Sequence, residues 1–412
     1  EFLEKALFEH RGGKNRGARG QAHRPGVDLC CMRSILVAIL VLATPTIGVA
    51  EGDTLRFHSA AFGTERTVVV HVPEFHHYAS AEVGMPVIIL LDGQHDWFID
   101  PLLNDIRFLQ YTHEVPQAIV VTVPHEDRVQ ECAPDSIDQP GMPLLEMLTQ
   151  ELPPLLRSYH PGEITVLVGH SFTASFALYA YLRATDAFDA VIALSPLHQV
   201  KRSVPLVVDR LVERLDQRVL VAVGGAERLK DGGHHATLVP AVPAASHERT
   251  EGRFLFRAYP AAGHTAVPII AFPDLLATLF KPYALRDSLA PVDDEYRILD
   301  TPPAAQDLLR AVEASHRFLG GSIPWNLDEI NGLASRLGNS GHTEQVKAIL
   351  ERALQLYPEY YAFHAWYGEL VLPTDATTGE AAIRTALELL ERHERDDPDY
   401  AAMREEVLDL LK

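Results

Sequence analysis

The sequence predicts an α/β protein whose sheet is mostly parallel, followed by a smaller all-α module. Eight short runs rich in β-branched and other apolar residues alternate with helical patterns between residues 54 and 283. From residue 327 onward, apolar residues recur only at helical spacing. Strands that alternate with helices are typical of a parallel sheet covered on both faces. A chain of 412 residues also exceeds what one hydrophobic core usually holds, so we expect two domains.

Each predicted strand is a short apolar run that ends near turn-forming residues. The strands are predicted at 54–62, 66–73, 87–91, 118–123, 164–168, 190–194, 219–223 and 253–259. Helices are predicted at 97–111, 143–159 and 204–215 from the helical spacing of apolar residues. The segment 125–141 carries charges and prolines and is predicted to be a long loop that borders a substrate site.

The fifth predicted strand ends in a motif that indicates a catalytic serine. The run 164–168 leads through a glycine and a histidine to Ser171, and a helical pattern follows over 172–182. A run that is apolar at every position is typical of a central parallel strand. A serine at such a strand-to-helix turn projects its Oγ above the sheet edge, so Ser171 is the predicted nucleophile. Thr173 stands where this kind of turn usually has glycine.

Two later strand ends supply residues that would complete a catalytic triad. Glu227 follows the seventh predicted strand, and Asp231, four residues further on, is an alternative acid. His264 lies in the loop after the eighth strand. Ligands of parallel sheets bind beyond the carboxyl ends of the strands, so we expect these side chains to lie near Ser171. In this chemistry His264 accepts the serine proton, and the acid holds the imidazole in its productive tautomer.

Backbone amides next to the predicted nucleophile are candidates for an oxyanion hole. The N–H of Phe172, the residue after the serine, is expected to be one donor. The second donor is expected in the loop after the third predicted strand, where the candidates are the amides of Gly93 and Gln94.

Three side chains are candidates for the substrate pocket. Trp97 follows the predicted oxyanion turn and would contact an acyl or aryl group, and Arg128 is the nearby cation that an anionic substrate would require. His170, beside the nucleophile, is expected to pack or hydrogen-bond rather than act as a second base. The adjacent pair His234 and His235 lacks a partner carboxylate cluster, so we expect no catalytic metal and no cofactor.

Five segments in the same order resemble the putative-esterase family, which includes enterochelin esterases and relatives of S-formylglutathione hydrolase. The segments are LLDG at 90–93, VTVPHEDR at 121–128, GHSFTASFALYAYL at 169–182, ALSP at 193–196 and YPAAGH at 259–264. The resemblance covers about residues 52–285. It implies an α/β-hydrolase fold and serine esterase activity, with Ser171 as the nucleophile and His264 as the base. The family usually shows Gly-His-Ser-x-Gly-Gly, so Thr173 and Ala174 depart from its pattern.

These observations predict a serine carboxylesterase that hydrolyses short-acyl or aryl esters through an acyl-enzyme. A siderophore-ester hydrolase or an acyltransferase would use the same triad. A further alternative is a catalytically silent hydrolase fold that binds partners through its helical module. The formal net charge of −20 disfavours a nucleic-acid partner, because phosphate binding needs clustered Lys and Arg.

The N-terminal part of the chain predicts export. Met32 and Arg33 precede an apolar run at 34–43, and small residues before Ala50 form a cleavage site, so 32–50 is predicted to be a signal peptide. Residues 1–31 are basic and glycine-rich and are interpreted as vector or upstream non-native sequence. The apolar run is too short for a membrane anchor. We therefore expect a secreted or periplasmic bacterial protein.

The remaining boundaries divide the mature chain into a hydrolase domain at 51–285, a linker at 286–325 and a helical module at 326–412. Residues in the module match one tetratricopeptide repeat that ends at Pro358. A second repeat would start at Tyr361, but the insertion 372–379 is expected to interrupt it. The module is expected to pack against the hydrolase, where it would help to close the active site or mediate a homodimer. A peptide-binding surface is the alternative use.

Overall fold

A computed structural model describes residues 52–227, 238–283, 286–294 and 297–412. Its centre is an eight-stranded sheet with the order β1-β2-β4-β3-β5-β6-β7-β8. Strands β1 and β2 pair antiparallel with each other, β2 is antiparallel to β4, and β3 to β8 are mutually parallel. The strands are β1 (Asp53–Ser59), β2 (Thr64–His71), β3 (Met85–Leu91), β4 (Ile119–Val123), β5 (Pro161–His170), β6 (Ala190–Leu194), β7 (Arg218–Gly224) and β8 (Phe254–Tyr259). All eight predicted strands are present, with small differences at their ends.

The central strands are apolar at successive positions because both faces of the sheet are covered. Every residue of β3, β4 and β6 is buried. Along β3, Ile89 belongs to the core on one face, whereas its neighbours Ile88 and Leu90 belong to the core on the other face. The sheet therefore has two hydrophobic layers, as the sequence predicts for a parallel sheet.

The helices that precede or follow the strands of the sheet are α1 (Asp96–Tyr111), α2 (Arg128–Cys132), α3 (Pro143–Glu146), α4 (Leu152–Leu156), α5 (Phe172–Arg183), α6 (Val200–Glu213), α7 (Ser246–Arg249) and α8 (Val267–Phe280). Helices α1 and α8 cover one face of the sheet, and α5 and α6 cover the other. The predicted helix at 143–159 is present as four short pieces: α3, a π-helical turn over Met147–Glu151, α4 and a 3-10 turn over Arg157–Tyr159. The predicted helix at 204–215 begins four residues earlier than expected.

The segment 286–325, which is predicted to be a linker, contains regular secondary structure in its described parts, 286–294 and 297–325. It contains α9 (Arg286–Leu289), α10 (Ala305–Ser315) and a hairpin of β9 (Arg317–Phe318) and β10 (Gly321–Ser322). Helix α10 buries Leu308 and Val312, which lie four positions apart on one helix face. The hairpin packs against α8, since the Phe318 ring lies 5.7 Å from the Phe280 ring, and Ser322 donates its N–H to Glu163 of β5 at 3.1 Å.

Five helices form the C-terminal module: α11 (Leu327–Asn339), α12 (Thr343–Leu356), α13 (Tyr361–Val371), α14 (Ala376–His393) and α15 (Tyr400–Asp409). The insertion 372–379 interrupts the second helix pair less than expected, because α14 begins at Ala376. Asp375 caps this helix by accepting the N–H of Thr378. A Cβ on Gly368 would lie 2.9 Å from the carbonyl oxygen of Gly379, so these two helices pack at a distance that requires glycine.

The module packs against the sheet at the amino-terminal ends of its parallel strands. Ser80, just before β3, donates its N–H to the carbonyl of Leu356 at 2.7 Å. Gln117, just before β4, donates its side-chain amide to Asp328 at 3.1 Å. The module therefore lies at the edge where the parallel strands begin. Within the described ranges, every helix is too short or too polar to span a bilayer.

Candidate active site

Ser171 lies at a strained junction between β5 and α5. Its backbone adopts φ 63° and ψ −113°, a region that side-chain-bearing residues rarely occupy. The strand and helix pass so close that a Cβ on Gly169 would lie 2.4 Å from the carbonyl oxygen of Thr173. Ser171 donates its N–H to the carbonyl of Leu194 in the neighbouring strand at 2.9 Å, which ties the turn to the sheet. This geometry is that of a nucleophile elbow.

Glu227 and His264 meet beyond the carboxyl ends of β7 and β8. Nδ1 of His264 lies 3.3 Å from Oε2 of Glu227, whose side chain is 1% exposed. The second carboxylate oxygen of Glu227 accepts the N–H of Gly224 at 2.7 Å and the hydroxyl of Ser195. These two donors fix the carboxylate, so it holds one orientation toward the imidazole. The alternative acid, Asp231, lies outside the described residues.

His170 places the backbone of His264 next to the elbow. Its Nε2 lies 3.0 Å from the carbonyl oxygen of His264, and the two imidazole rings are 4.6 Å apart. Burial, with a smaller effect from His264, lowers the pKa of His170 to about 4. His170 is therefore neutral near pH 7 and donates through Nε2. It is only 3% exposed, so it packs behind the site instead of lining a pocket open to substrate.

The two amides proposed for the loop after β3 differ in availability. Gly93 donates its N–H to the carbonyl of Val123 at 2.9 Å, so the prediction that this amide serves the oxyanion is wrong. Among the described residues, the N–H groups of Gln94 and Phe172 have no hydrogen-bond acceptor. The Gln94 side chain accepts the N–H of His125 at 2.9 Å, which fixes this turn. Gln94 and Phe172 are thus the candidate oxyanion donors.

Arg128 forms an ion pair within the protein. This pairing does not fit its predicted role as the cation that binds an anionic substrate. Its guanidinium donates Nε and Nη2 to the two carboxylate oxygens of Asp92, and Nη2 also donates to the carbonyl of His170 at 2.8 Å. The Asp92 side chain is 2% exposed. The pair is therefore close to neutral, and the charge of Arg128 is offset before a substrate arrives.

Trp97 is the predicted pocket residue that the structure leaves open to solvent. It is 51% exposed, and its ring lies 6.2 Å from the His170 ring in an edge-on arrangement. The next residue, Phe98, is 1% exposed, and its ring stacks on the His170 ring at 5.8 Å. The Phe172 ring is half-buried between the Arg128 guanidinium, 5.3 Å away, and the His198 ring, 4.9 Å away. Apolar aromatic surface thus lies beside the serine.

A family comparison agrees with this site. Residues 59–250 match the family model described as "Putative esterase". This part of the chain is similar to the putative-esterase family. The matched residues include Ser171 and Glu227, and the match supports carboxylic ester hydrolysis by the esterase domain. No curated protein is detectably similar to the chain.

Solved structures share the fold of the esterase domain at low sequence identity. An IroE-like serine hydrolase from Shewanella oneidensis is 21% identical, with a TM-score of 0.58 over 74% of this chain and 99% of that one. An uncharacterised protein from Capnocytophaga ochracea DSM 7271 is 14% identical, with a TM-score of 0.52 over 81% of this chain and 93% of that one. At these identities the likeness establishes the α/β-hydrolase fold.

The helical module lies at the opposite edge of the sheet from the elbow of the esterase domain. Its contacts through Ser80 and Gln117 are at the amino ends of β3 and β4, whereas Ser171 lies at the carboxyl end of β5. The expectation that the module helps to close the active site is therefore wrong. Its use in a homodimer or a protein contact stays a prediction.

Three residues that organise the site are not among the predicted site residues. Ser195 orients Glu227, and Asp92 and Thr173 join the elbow to the loop after β3. Ser195 and Asp92 each directly follow a buried parallel strand, and this position was the signal in the sequence. Thr173 was noted only as a departure from glycine, since a hydroxyl contact with a residue 81 positions away leaves no local pattern.

Proposed function

We propose that the protein is an exported serine carboxylesterase with Ser171 as the nucleophile, His264 as the general base and Glu227 as the acid. The observation that carries this proposal is the Glu227–His264 pair, with 3.3 Å between Oε2 and Nδ1, beside a serine held at a positive φ. A base oriented by a carboxylate and a serine presented at an elbow are the two parts that acyl transfer requires.

In the first step, Nε2 of His264 accepts the proton of the Ser171 hydroxyl as Oγ bonds to the ester carbonyl carbon. The carbonyl oxygen becomes an oxyanion that accepts the N–H groups of Phe172 and Gln94. The carbon–oxygen bond to the alcohol then breaks, and the imidazolium returns the proton to the leaving alcohol. The product of this step is an acyl-enzyme on Ser171.

In the second step, a water molecule attacks the acyl carbon and gives a proton to His264. The bond to Ser171 Oγ breaks, the carboxylic acid leaves, and the serine recovers its proton from the imidazolium. Glu227 stabilises the positive charge that His264 carries in both steps. Because Glu227 is buried and already accepts bonds from Gly224 and Ser195, it needs little reorganisation during the reaction.

The charge and shape of the site favour a neutral ester with a short acyl or an aryl group. Arg128 is neutralised by Asp92, so no described cation beside Ser171 is left to bind an anionic group. The exposed face of Trp97 offers an apolar surface for an aromatic ring. A siderophore ester, which carries negative charge, fits this surface less well than a simple aryl ester.

Two further parts of the proposal rest on the sequence. Export rests on the apolar run at 34–43 after Met32 and Arg33, which lies outside the described residues. A tetratricopeptide-like role of the module rests on the residues that match one repeat ending at Pro358, which the helix pair α11 and α12 contains. Such helix pairs mediate protein contacts, and a homodimer is the simplest case.

The test is hydrolysis of p-nitrophenyl esters from acetyl to long acyl chains by the wild-type protein and by Ser171→Ala. Ser158→Ala, at an exposed serine, is the matched control. We expect Ser171→Ala to lower kcat/KM by at least about 10³-fold and the control to leave it unchanged. A fluorophosphonate should label Ser171, as read by peptide mass spectrometry. Equal turnover by wild type and Ser171→Ala would mean another nucleophile, and neither turnover nor labelling would favour the catalytically silent binding protein.

A further inference from the structure

The hydroxyl of Thr173 forms part of a buried network under the elbow. Its Oγ1 accepts the N–H of His170 at 2.7 Å and lies 2.7 Å from Oδ2 of Asp92. The one hydroxyl proton has two acceptors within reach, Oδ2 of Asp92 and the carbonyl of His170 at 2.8 Å. The ionised carboxylate is the stronger acceptor, so the hydroxyl donates to Asp92. Thr173 is fully buried and Asp92 is 1% exposed, so water does not compete for these bonds.

Asp92 links this threonine to two other segments of the site. It directly follows β3 and stands two residues before Gln94, with φ 67°. Arg128, from the segment after β4, donates to both oxygens of Asp92 and to the carbonyl of His170. The four residues therefore join the ends of β3, β4 and β5 at one point.

We propose that Thr173, Asp92 and Arg128 act as positioning residues that hold the nucleophile elbow and the Gln94 turn at the separation that oxyanion stabilisation requires. This inference rests on the proposed function. We name these three residues the elbow clamp.

The physical reason lies in the origin of the two candidate oxyanion donors. Phe172 belongs to α5 and Gln94 to the loop after β3, so no single element fixes their distance. Two donors must hold their positions to within about 0.5 Å to stabilise a tetrahedral oxyanion. A glycine at position 173 would remove the direct contact of Asp92 with the elbow and leave the link through Arg128. Threonine supplies a short, rigid connection between the two donor segments.

The charges of the clamp are arranged so that they do not oppose catalysis. An unpaired carboxylate at Asp92 would repel the negative charge that forms on the substrate carbonyl. Burial alone would raise the pKa of Asp92, but the hydrogen bonds and charge of Arg128, with the Thr173 hydroxyl, hold that pKa below its ordinary value. The Asp92 carboxylate is thus ionised, and Arg128 offsets its charge. Asp92 can therefore contact Thr173 without repelling the oxyanion.

The test compares Thr173→Val, which removes the hydroxyl at nearly constant shape, with Thr173→Ser, which restores it. Thr250→Val is the matched control, because Thr250 is also fully buried and its hydroxyl also accepts a backbone N–H, that of Phe254. We expect Thr173→Val to lower kcat on p-nitrophenyl acetate by about 10- to 100-fold with little change in KM. Thr173→Ser should recover kcat to within about 3-fold, and Thr250→Val should leave kcat unchanged.

A second variant and the activity of the wild type distinguish failure of the clamp inference from failure of the proposed esterase function. Thr173→Gly carries the residue usual in the family, and it should lose kcat as Thr173→Val does if the hydroxyl is what positions the elbow. The inference is overturned if Thr173→Gly or Thr173→Val turns over like the wild type, if serine does not rescue, or if Thr250→Val loses as much kcat. Absence of turnover in the wild type would instead refute the proposed esterase function.

Discussion

Glu131 is the acceptor of a buried hydrogen-bond cluster beside the site, and its replacement by glutamine gives a direct test of the structure. Its carboxylate oxygens accept Nη1 and Nη2 of Arg66 at 3.0 and 2.8 Å. Nδ1 of His125 lies 3.1 Å away, and the N–H groups of Glu126 and Asp127 donate at 3.1 Å each. Removing the negative charge leaves the buried guanidinium of Arg66 without its counter-charge.

The expected loss of stability follows from the pKa of Glu131. Burial alone would raise this pKa, but the hydrogen bonds from His125, Arg66 and the backbone outweigh it and lower the pKa from 4.5 to about 2. A carboxyl whose pKa is lower in the folded state contributes stability above its unfolded pKa and loses it as the pH falls toward the folded value. The difference between the two pKa values corresponds to about 3 kcal/mol of folding stability near neutral pH. This stability is lost as the pH falls from about 4.5 to about 2.

The assay is urea denaturation followed by tryptophan fluorescence at about pH 7 and about pH 3.5, for the wild type and Glu131→Gln. At the higher pH we expect the free energy of unfolding of the variant to be about 3 kcal/mol below that of the wild type. At the lower pH we expect this difference to be smaller by roughly 1.5 kcal/mol. The control is Glu126→Gln, whose side chain is 70% exposed and lies 4.0 Å from Arg66. This control should lose less than about 0.5 kcal/mol. Equal losses in the two variants, or a loss at Glu131 that does not change with pH, would refute the reasoning.

Four shorter predictions concern catalysis and the module. Glu227→Gln should lower kcat by about 10²- to 10⁴-fold in the p-nitrophenyl assay, because the imidazolium loses its counter-charge. Ser195→Ala should lower kcat by about 10-fold, since it removes one of the two bonds that orient Glu227; initial-rate kinetics at saturating ester measures this. Trp97→Ala should raise KM for aryl esters more than for acetyl esters, measured in the same series. Gly368→Ala should destabilise the protein by about 1–3 kcal/mol in thermal denaturation, because the new Cβ would lie 2.6 Å from Ile383, and it should leave kcat unchanged.

The sequence predicts the sheet well because parallel strands leave a strong local signal. Strands β3 and β6 are buried at every position, so each residue must be apolar, and this pattern is visible without knowledge of the fold. The same logic places Ser171, Glu227 and His264 beyond strand ends. Their arrangement follows from the rule that the carboxyl ends of parallel strands share one edge.

The sequence does not reveal hydrogen-bond and ion-pair partners that lie far apart along the chain. Arg128 was expected to face a substrate, but its partner Asp92 lies 36 positions earlier and no local pattern connects them. The sequence makes the amide of Gly93 a candidate oxyanion donor. In the structure this amide donates to the carbonyl of Val123, a residue 30 positions later, and no local pattern indicates that bond. The helix α10 was different, because Leu308 and Val312 already stood at helical spacing within the predicted linker.

The helical module lies at the amino-terminal edge of the sheet. A partner that binds the module would therefore orient the whole molecule relative to itself. Ser80 and Gln117, which contact the module, lie just before the first residues of β3 and β4, whereas Ser171 follows the last residue of β5. A support or partner bound to the module would therefore lie at the edge of the sheet opposite Ser171. The mouth of the active site would then face the solution, and ester substrates would reach Ser171 without passing the attachment.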